Sequence, residues 1–184
     1  MKELIVKDIM VPLSEYATVS EEASLKDAIN SLETAQKKFK LNQYTHKAIL
    51  VYDKNNKITG KISTLDIIRA LEPKYSLIGK SNPLSSIGLS RFGLSSGFLK
   101  SLVKQYNLWN EPFESLLSNA SSQKVKDFMY NPSEGEYVKE DASLAEAIHQ
   151  IVMGHHQSLL VVKNDNIVGI LRIVDIFKKI CDSI

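Results

Sequence analysis

The chain has 184 residues with a formal net charge of +2, and 43% of its residues are hydrophobic and 24% charged. This length can bury one core or two small ones, and the composition is that of a packed globular protein, which excludes a fibrous or disordered chain. The small net charge argues against a nucleic-acid partner, because such proteins concentrate Lys and Arg on one face.

Two features bear on the compartment. Cys181 is the single cysteine, so no internal disulfide can form. The first residues, "MKELIVKDIMV", break their apolar run with Glu3, Lys7 and Asp8, unlike a secretory signal, and no stretch approaches 18 apolar residues. We therefore expect a cytoplasmic protein without a membrane partner.

The first predicted elements return later in the chain. "VKDIM" at 6–10 is repeated as "VKDFM" at 125–129, and "SLKDAI" at 24–29 as "SLAEAI" at 143–148, both displaced by 119 positions. Each second motif places an acid three residues after a serine, which indicates a capping box and therefore the start of a helix. One stripe of each predicted helix is apolar: Leu25, Ile29 and Leu32 in the first copy, and Leu144, Ile148 and Ile151 in the second.

A hairpin and a closing helix follow in both copies. "KAILVYD" and "SLLVVK" are short β-rich runs, each followed by a turn, at 53–57 or 163–166, and by a second run that ends at Gly60 or Gly169. The closing helices begin near Thr64 and Ile173. Their expected inward residues are Ile67, Ile68 and Leu71 in the first copy, and Ile176, Phe177 and Ile180 in the second. Each half therefore has the predicted order β-α-β-β-α.

The stretch at 74–123 has no counterpart in either copy. Its first part, "GKSNPLSSIGLSRFGLSSG", is rich in Ser and Gly and is predicted to be a loop. The second part, "FLKSLVKQYNLW" at 98–109, is predicted to be an amphipathic helix limited by Pro112. Its apolar face would be buried on the body of the protein or on a second subunit.

The duplicated order of these elements resembles the cystathionine-β-synthase (CBS) domain, which occurs in tandem pairs. The motif G-x-x-[ST]-x-x-D stands complete at 60–66, whereas the copy at 169–175 has Arg172 in the Ser/Thr position. The resemblance implies an α+β Bateman module of two pseudo-symmetric repeats, at 1–73 and 124–184, with the insertion 74–123 between them. It also implies clefts for an adenosine-containing effector, namely AMP, ADP, ATP or S-adenosylmethionine.

The same resemblance assigns roles to the motif residues. Asp66 and Asp175 would accept hydrogen bonds from ribose hydroxyls, and Ser63 would lie near a phosphate, which suits a carboxylate with two acceptor oxygens and a helix start with free amides. Ser63 and Asp66 alone also fit an ordinary capping box. Arg172 cannot cap as a serine does, so it could reach a phosphate, pair with Asp175 and close the site, or be exposed.

Further cleft residues follow from the family geometry. Segments near Thr18-Val19 and Tyr137-Val138 would hold adenine, and the phosphate region would be lined by a second set in matching places of the two copies: His46, Lys47, Ala48, His156, Gln157 and Ser158. His46 and His156 could each contact phosphate, but a lone histidine at the start of a strand is more often a surface or capping residue. His155-His156 is a poor metal site, because neighbours on a strand point to opposite faces.

The sequence carries no nucleophile elbow, phosphate-binding loop or zinc-binding histidine pair. We therefore expect no enzyme, no metal and no required cofactor. Two functions remain: a nucleotide sensor that signals to an unidentified partner protein, and a structural dimerisation or adaptor module with vestigial clefts, working through its insertion helix. A homodimer is expected, since pairs of this family commonly form disc-like dimers through their helices, here sharing the apolar stripes of the two capped helices.

Overall fold

A computed structural model describes residues 4–38, 48–81 and 95–184. In the described part, seven strands form two mixed sheets: β1 Val11–Pro12, β2 Thr18–Ser20, β3 Ala48–Tyr52, β4 Ile58–Ser63, β5 Tyr137–Lys139, β6 Ser158–Lys163 and β7 Asn166–Arg172. The orders are β2-β3-β4 and β1-β7-β6-β5. β2 is parallel to β3 and β5 to β6, whereas the hairpins β3-β4 and β6-β7 are antiparallel.

The described helices are α1 Leu25–Lys38, α2 Thr64–Ala70, α3 Tyr75–Ser81, α4 Ser96–Gln105, α5 Phe113–Ser121, α6 Val125–Phe128, α7 Leu144–Gly154 and α8 Ile173–Cys181. The elements β2-α1-β3-β4-α2 and β5-α7-β6-β7-α8 reproduce the predicted β-α-β-β-α order in both halves. The α+β fold of two repeats with a helical stretch between them is therefore confirmed.

The helix caps and the hairpin turns lie where the sequence predicted them. Ser24 Oγ accepts from the Asp27 amide at 3.2 Å, and the Ser24 amide donates back to Asp27 Oδ2 at 3.0 Å. At the start of α7, Ser143 Oγ accepts a hydrogen bond from the Glu146 amide at 3.1 Å, which is the serine half of a capping box. Both hairpin turns contain left-handed Asn or Asp residues, which tolerate this backbone: Asn56, Asn164 and Asp165.

The segment that leads into each repeat packs on the other repeat. Val6 is fully buried in the core of the second repeat, and Val125 is fully buried in the core of the first. We call residues 5–12 and 124–130 the lead segments. The first adds β1 to the edge of β7, and the second adds a bridge between Tyr130 and Lys61 of β4. The two halves are thus joined by crossed segments, which the sequence did not predict.

Gly60 and Gly169 lie where a lead segment crosses a strand. The expectation that the strands end at these glycines is wrong, since β4 continues to Ser63 and β7 to Arg172. A Cβ on Gly60 would lie 2.9 Å from the Tyr130 carbonyl oxygen, and one on Gly169 would lie 2.6 Å from that of Val11. Each glycine therefore permits a close approach of two backbones.

The closing helices are less buried than predicted. Leu71 and Ile176 are buried, as expected, but Ile68, Phe177 and Ile180 are 48%, 55% and 48% exposed. The apolar periodicity located the helices correctly, but it could not tell which apolar residues have a covering element within this chain.

The insertion differs most from its prediction. α3 and α5 were not expected, and α4 ends at Gln105, four residues before the predicted end. The predicted loop lies mainly outside the described residues, at 82–94. α4 itself contains no buried residue. Instead, the turn after it is anchored to the first repeat, where buried Glu72 accepts from the Trp109 amide at 2.8 Å and Lys74 Nζ donates to the Asn107 carbonyl at 2.8 Å.

We expect Gly169→Ala to lower the free energy of unfolding by about 1–3 kcal/mol, because the new methyl group would force apart β7 and the first lead segment. Gly60→Ala should cost less, since its contact is longer. Urea unfolding checks both. Gly97→Ala is the control: nothing lies within 4 Å of its Cβ, so this exposed helical site should be neutral or slightly stabilised. Equal effects at all three glycines would contradict the crossing argument.

Candidate functional site

A cleft of about 620 Å³ lies between the two repeats, where β4 leads into α2 and β7 leads into α8. Its volume is within the range of small-molecule sites. The first repeat contributes Tyr16, Ala48, Lys61, Ser63, Thr64, Leu65, Asp66 and Arg69, and the second contributes Tyr130, Glu136, His155, His156, Gln157, Ser158, Arg172, Ile173 and Val174.

Seven of the residues singled out from the sequence meet in this cleft: Ala48, Ser63, Asp66, His156, Gln157, Ser158 and Arg172. They come from both repeats and from positions more than a hundred residues apart. The resemblance implied clefts between the repeats, with Ser63 and Asp66 in a first cleft and Asp175 in a second, so it did not predict that Arg172 lines the same cleft as Asp66.

The other predicted residues lie elsewhere. Asp175 lines a separate pocket of about 290 Å³, and Thr18 lines a third pocket. The side chains of Val19 and Val138 are buried in the two repeat cores, and Tyr137 packs on the cluster between the sheets. His46 and Lys47 lie outside the described residues. The adenine-holding role assigned to the segments at 18–19 and 137–138 stays a prediction.

Asp66 is held in one orientation at the start of α2. Its Oδ2 accepts from the Ser63 amide at 2.8 Å and from Ser63 Oγ at 2.6 Å, while its own amide donates to Ser63 Oγ at 3.3 Å. This is the capping box that the sequence allowed. Oδ1 takes no part in the cap and lies 3.7 Å from Arg69 Nη1. Both bonds to the carboxylate in the cap go to Oδ2, so the cap uses one carboxylate oxygen only. Asp66 is 7% exposed and lines the cleft.

Arg172 makes a two-pronged ion pair at the equivalent place in the second repeat. Its Nε donates to Asp175 Oδ2 at 2.7 Å, its Nη2 to Oδ1 at 2.5 Å, and its backbone amide to Oδ2 at 3.2 Å. Arg172 is 7% exposed, so the option of an exposed arginine is wrong. The geometry is the one that charge-assisted bidentate pairing favours.

Sequence reasoning missed a buried polar cluster on the cleft wall. Glu136, 2% exposed, pairs with Lys61 Nζ at 2.5 Å and accepts from the Tyr130 hydroxyl at 2.5 Å and from the Ser133 amide at 3.1 Å. Lys61 Nζ also lies 5.1 Å from the centre of the Tyr130 ring. A signal was present in the sequence. Lys61 and Tyr130 occupy the positions that Ile170 and Val11 occupy in the other copy, and in the structure each pair is bridged, so this contact is polar in one repeat and apolar in the other.

Burial and hydrogen bonding set the ionisation of this cluster. Burial by itself raises the pKa of Glu136, but hydrogen bonds from Lys61, Tyr130 and Ser133 outweigh it and leave the pKa below the ordinary 4.5. Burial and the bond to Glu136 raise the pKa of Tyr130 to about 12. Tyr16, whose hydroxyl donates to the Ala48 carbonyl at 3.0 Å, has its pKa raised to about 12 by burial. Both phenols are therefore neutral donors at pH 7.

Neither His155 nor His156 lies on a strand, contrary to the sequence argument: His155 has left-handed backbone after α7, and both residues line the cleft. Across the described ranges, no group of three or more His, Cys, Asp or Glu residues could hold a metal ion. Within residues 4–38, 48–81 and 95–184, no helix has the length and apolar content needed to cross a membrane.

A family profile described as CBS domain matches residues 6–73 and again residues 125–182. No curated protein sequence matches the chain. Solved structures do. A CBS domain-containing protein of unknown function from Bacillus anthracis aligns with a TM-score of 0.63 and 20% identity, covering 98% of this chain and 95% of that one.

Two further structures have the same fold. CBSX2, a CBS-pair protein from Arabidopsis thaliana, was solved in complex with AMP and aligns with a TM-score of 0.59 and 18% identity, over 97% of each chain. MJ1004 from Methanocaldococcus jannaschii aligns with a TM-score of 0.58 and 18% identity, over 97% of this chain but 60% of that one. At these identities the likeness shows the fold alone.

We expect Glu136→Gln to lower the free energy of unfolding at pH 7 by about 3–5 kcal/mol, because it leaves Lys61 charged and unpaired in a buried site. The folded-state pKa of Glu136 lies below 4.5, so its contribution is present above that pH and is lost as the pH falls through the folded-state pKa. Denaturant unfolding should therefore show a difference between wild type and variant at pH 7 that shrinks below pH 4.5.

Two controls accompany this measurement. Glu22→Gln removes an exposed pair with Lys126, and it should change stability little, because exposed pairs are screened. Lys61→Met combined with Glu136→Leu removes both buried charges and should be less damaging than Glu136→Gln alone. A difference between wild type and Glu136→Gln that persists undiminished at low pH would show that ionised Glu136 does not hold the cluster.

Proposed function

Since the chain belongs to the CBS domain family, whose profile covers both of its repeats, we propose that it is a regulatory module that binds an adenine nucleotide in the cleft between them. The bound nucleotide would favour one of two arrangements of the module, and a partner protein would respond to that arrangement. This requires that the ligand bind the two arrangements with different affinity.

The position of Asp66 carries this proposal. Its Oδ2 belongs to the helix cap, whereas Oδ1 is outside the cap, on a residue that lines the cleft. A ribose presents neighbouring hydroxyl donors, and an ionised carboxylate is a strong acceptor for them. The cap fixes the carboxylate before the ligand arrives, so little orientational freedom would be lost on binding.

The surroundings of Asp66 suit the other parts of a nucleotide. Lys61, Arg69 and Arg172 line the cleft with two acids, Asp66 and Glu136, so its basic side chains outnumber its acidic ones by three to two, and the Ser63 hydroxyl is nearby. Leu65 and Ile173 offer apolar contacts for a base. CBSX2, a distant structural neighbour, was crystallised with AMP, which supports AMP as the first ligand to test.

We expect Asp66→Asn to weaken nucleotide binding by about tenfold to more than a hundredfold, the range of a hydrogen bond to a charged group. Calorimetric titration with AMP, ADP, ATP and S-adenosylmethionine would measure it. Asp27→Asn is the matched control, because the exposed Asp27 forms the same kind of cap with Ser24 at the start of α1, away from the cleft. An absence of heat with all four ligands would reject the proposal, as would equal weakening in both variants.

A second function, dimerisation, is favoured by an exposed apolar surface. The stripes first expected to form the dimer contact are largely enclosed in the repeats: Leu25, Leu32 and Ile151 are buried. Among the exposed apolar residues of the described ranges, several lie on the two closing helices. We name as the α2/α8 surface Ile68 of α2 with Phe177 and Ile180 of α8, which are 48–55% exposed and do not line the cleft.

We propose that a second copy of the chain covers the α2/α8 surface. Ile68 and Phe177 occupy equivalent positions of the two repeats, so the surface has approximate internal twofold symmetry, which suits the self-complementary contact of a symmetric dimer. Such a dimer is compatible with nucleotide sensing, and by itself it would serve the adaptor function.

We expect light scattering at micromolar concentration to show a dimer that Phe177→Glu and Ile68→Glu each convert to monomer, because a buried, unpaired charge opposes association. Phe113→Glu is the control, since Phe113 of α5 is just as exposed but belongs to the insertion. A monomeric wild type would refute the dimer, and dissociation by Phe113→Glu alone would place the contact on the insertion.

A further inference from the structure

Arg172 forms the wall between the large cleft and the smaller pocket beside it. The arginine lines both spaces, whereas Asp175 lines the smaller pocket only. In the first repeat the equivalent residues, Ser63 and Asp66, both line the large cleft. The two motif aspartates are therefore on opposite sides of a partition, and the partition is the residue that replaced serine.

The two aspartates also differ in the use of their oxygens. The cap of Asp66 uses Oδ2 alone. Asp175 gives Oδ2 to the amide and Nε of Arg172, and Oδ1 to Nη2. These bonds leave Asp175 one acceptor position, on Oδ1, so it could accept from both hydroxyls of a ribose only by displacing a guanidinium donor. Arg172 is buried, so its charge would then lose a partner without gaining water. A neutral hydroxyl does not compensate for a bidentate charged pair.

The smaller pocket is also a poor place for phosphate. Arg172, Lys178 and Lys179 contribute positive charge, but Asp8, Glu15, Asp175 and Asp182 line the same pocket. Its acidic residues outnumber its basic ones by four to three. An anionic ligand would therefore enter a pocket that has no net positive charge. The pocket also has less than half the volume of the large cleft.

We infer that Arg172 closes the ribose position of the second repeat, so that the chain binds one nucleotide, with its ribose on Asp66, instead of one in each repeat. This inference rests on the proposed nucleotide binding and specifies its stoichiometry and orientation. The Ser-to-Arg difference between the two motifs is then the determinant of which repeat binds.

Exchanging the two motif residues tests the inference. Arg172→Ser recreates the first repeat's motif in the second, removes the partition and opens Asp175 to the large cleft instead of the acidic pocket, so calorimetric titration with AMP and with ATP should rise from one equivalent per chain to two. Ser63→Arg would give Asp66 the same two-pronged ion pair that Asp175 has in wild type, and it should abolish nucleotide binding. Asp175→Asn should leave affinity within about twofold of wild type, whereas Asp66→Asn should lose about tenfold or more. Thermal unfolding of each variant without ligand confirms that it is folded.

The outcomes separate this inference from the proposed function. Two equivalents in wild type, equal losses in Asp66→Asn and Asp175→Asn, or one equivalent in folded Arg172→Ser would each overturn the inference and leave nucleotide binding standing. Binding by neither wild type nor Arg172→Ser would overturn the proposed function, and the inference with it. If Arg172→Ser does not fold, the wild-type stoichiometry with the Asp66→Asn and Asp175→Asn affinities decides the question.

Discussion

The crossed lead segments are the constraint on which the rest of the structure depends. Val6 completes the core of the second repeat and Val125 completes that of the first, so neither repeat buries its own apolar surface without the other. The crossing requires two backbones to approach closely, which Gly60 and Gly169 allow. Because each segment is fixed at both ends, the relative position of the repeats is set by packing. The cleft between them is therefore a consequence of how the cores are closed.

Duplication followed by divergence explains why the two sides of the seam differ. Where the second repeat packs Ile170 beside Val11, the first places Lys61 beside Tyr130, with Glu136 satisfying both. Buried charges of this kind add little net stability over an apolar contact, but they penalise any arrangement that separates them. The polar side of the seam is also the side where Asp66 lines the cleft. The buried cluster of Lys61, Tyr130 and Glu136 therefore stands beside Asp66 and has no counterpart beside the paired Asp175 in the described part of the second repeat.

The sequence predicted what depends on neighbouring residues. The Ser24 and Ser63 caps, the Asn-rich turns and the order of elements follow from local hydrogen bonding and backbone preference. The crossing could not be predicted in this way, because nothing near Val6 indicates that its core lies beyond residue 130. The exposure of Ile68 and Phe177 was missed for a related reason, since periodicity shows an apolar face but not its cover. For Arg172 three options were open from the sequence, and only the positions of its donors around Asp175 distinguish them.

In the proposed function, α2 would connect ligand binding to assembly. The helix begins with the Ser63–Asp66 cap at the cleft, and Ile68 of the α2/α8 surface follows Asp66 by two residues. α2 is only seven residues long, so a ligand that holds its first turn would also restrict its exposed face. α8 would lack this link if Arg172 already holds Asp175. Nucleotide and second subunit would then be coupled through one helix of each chain, and by linkage each would strengthen or weaken the binding of the other by the same factor.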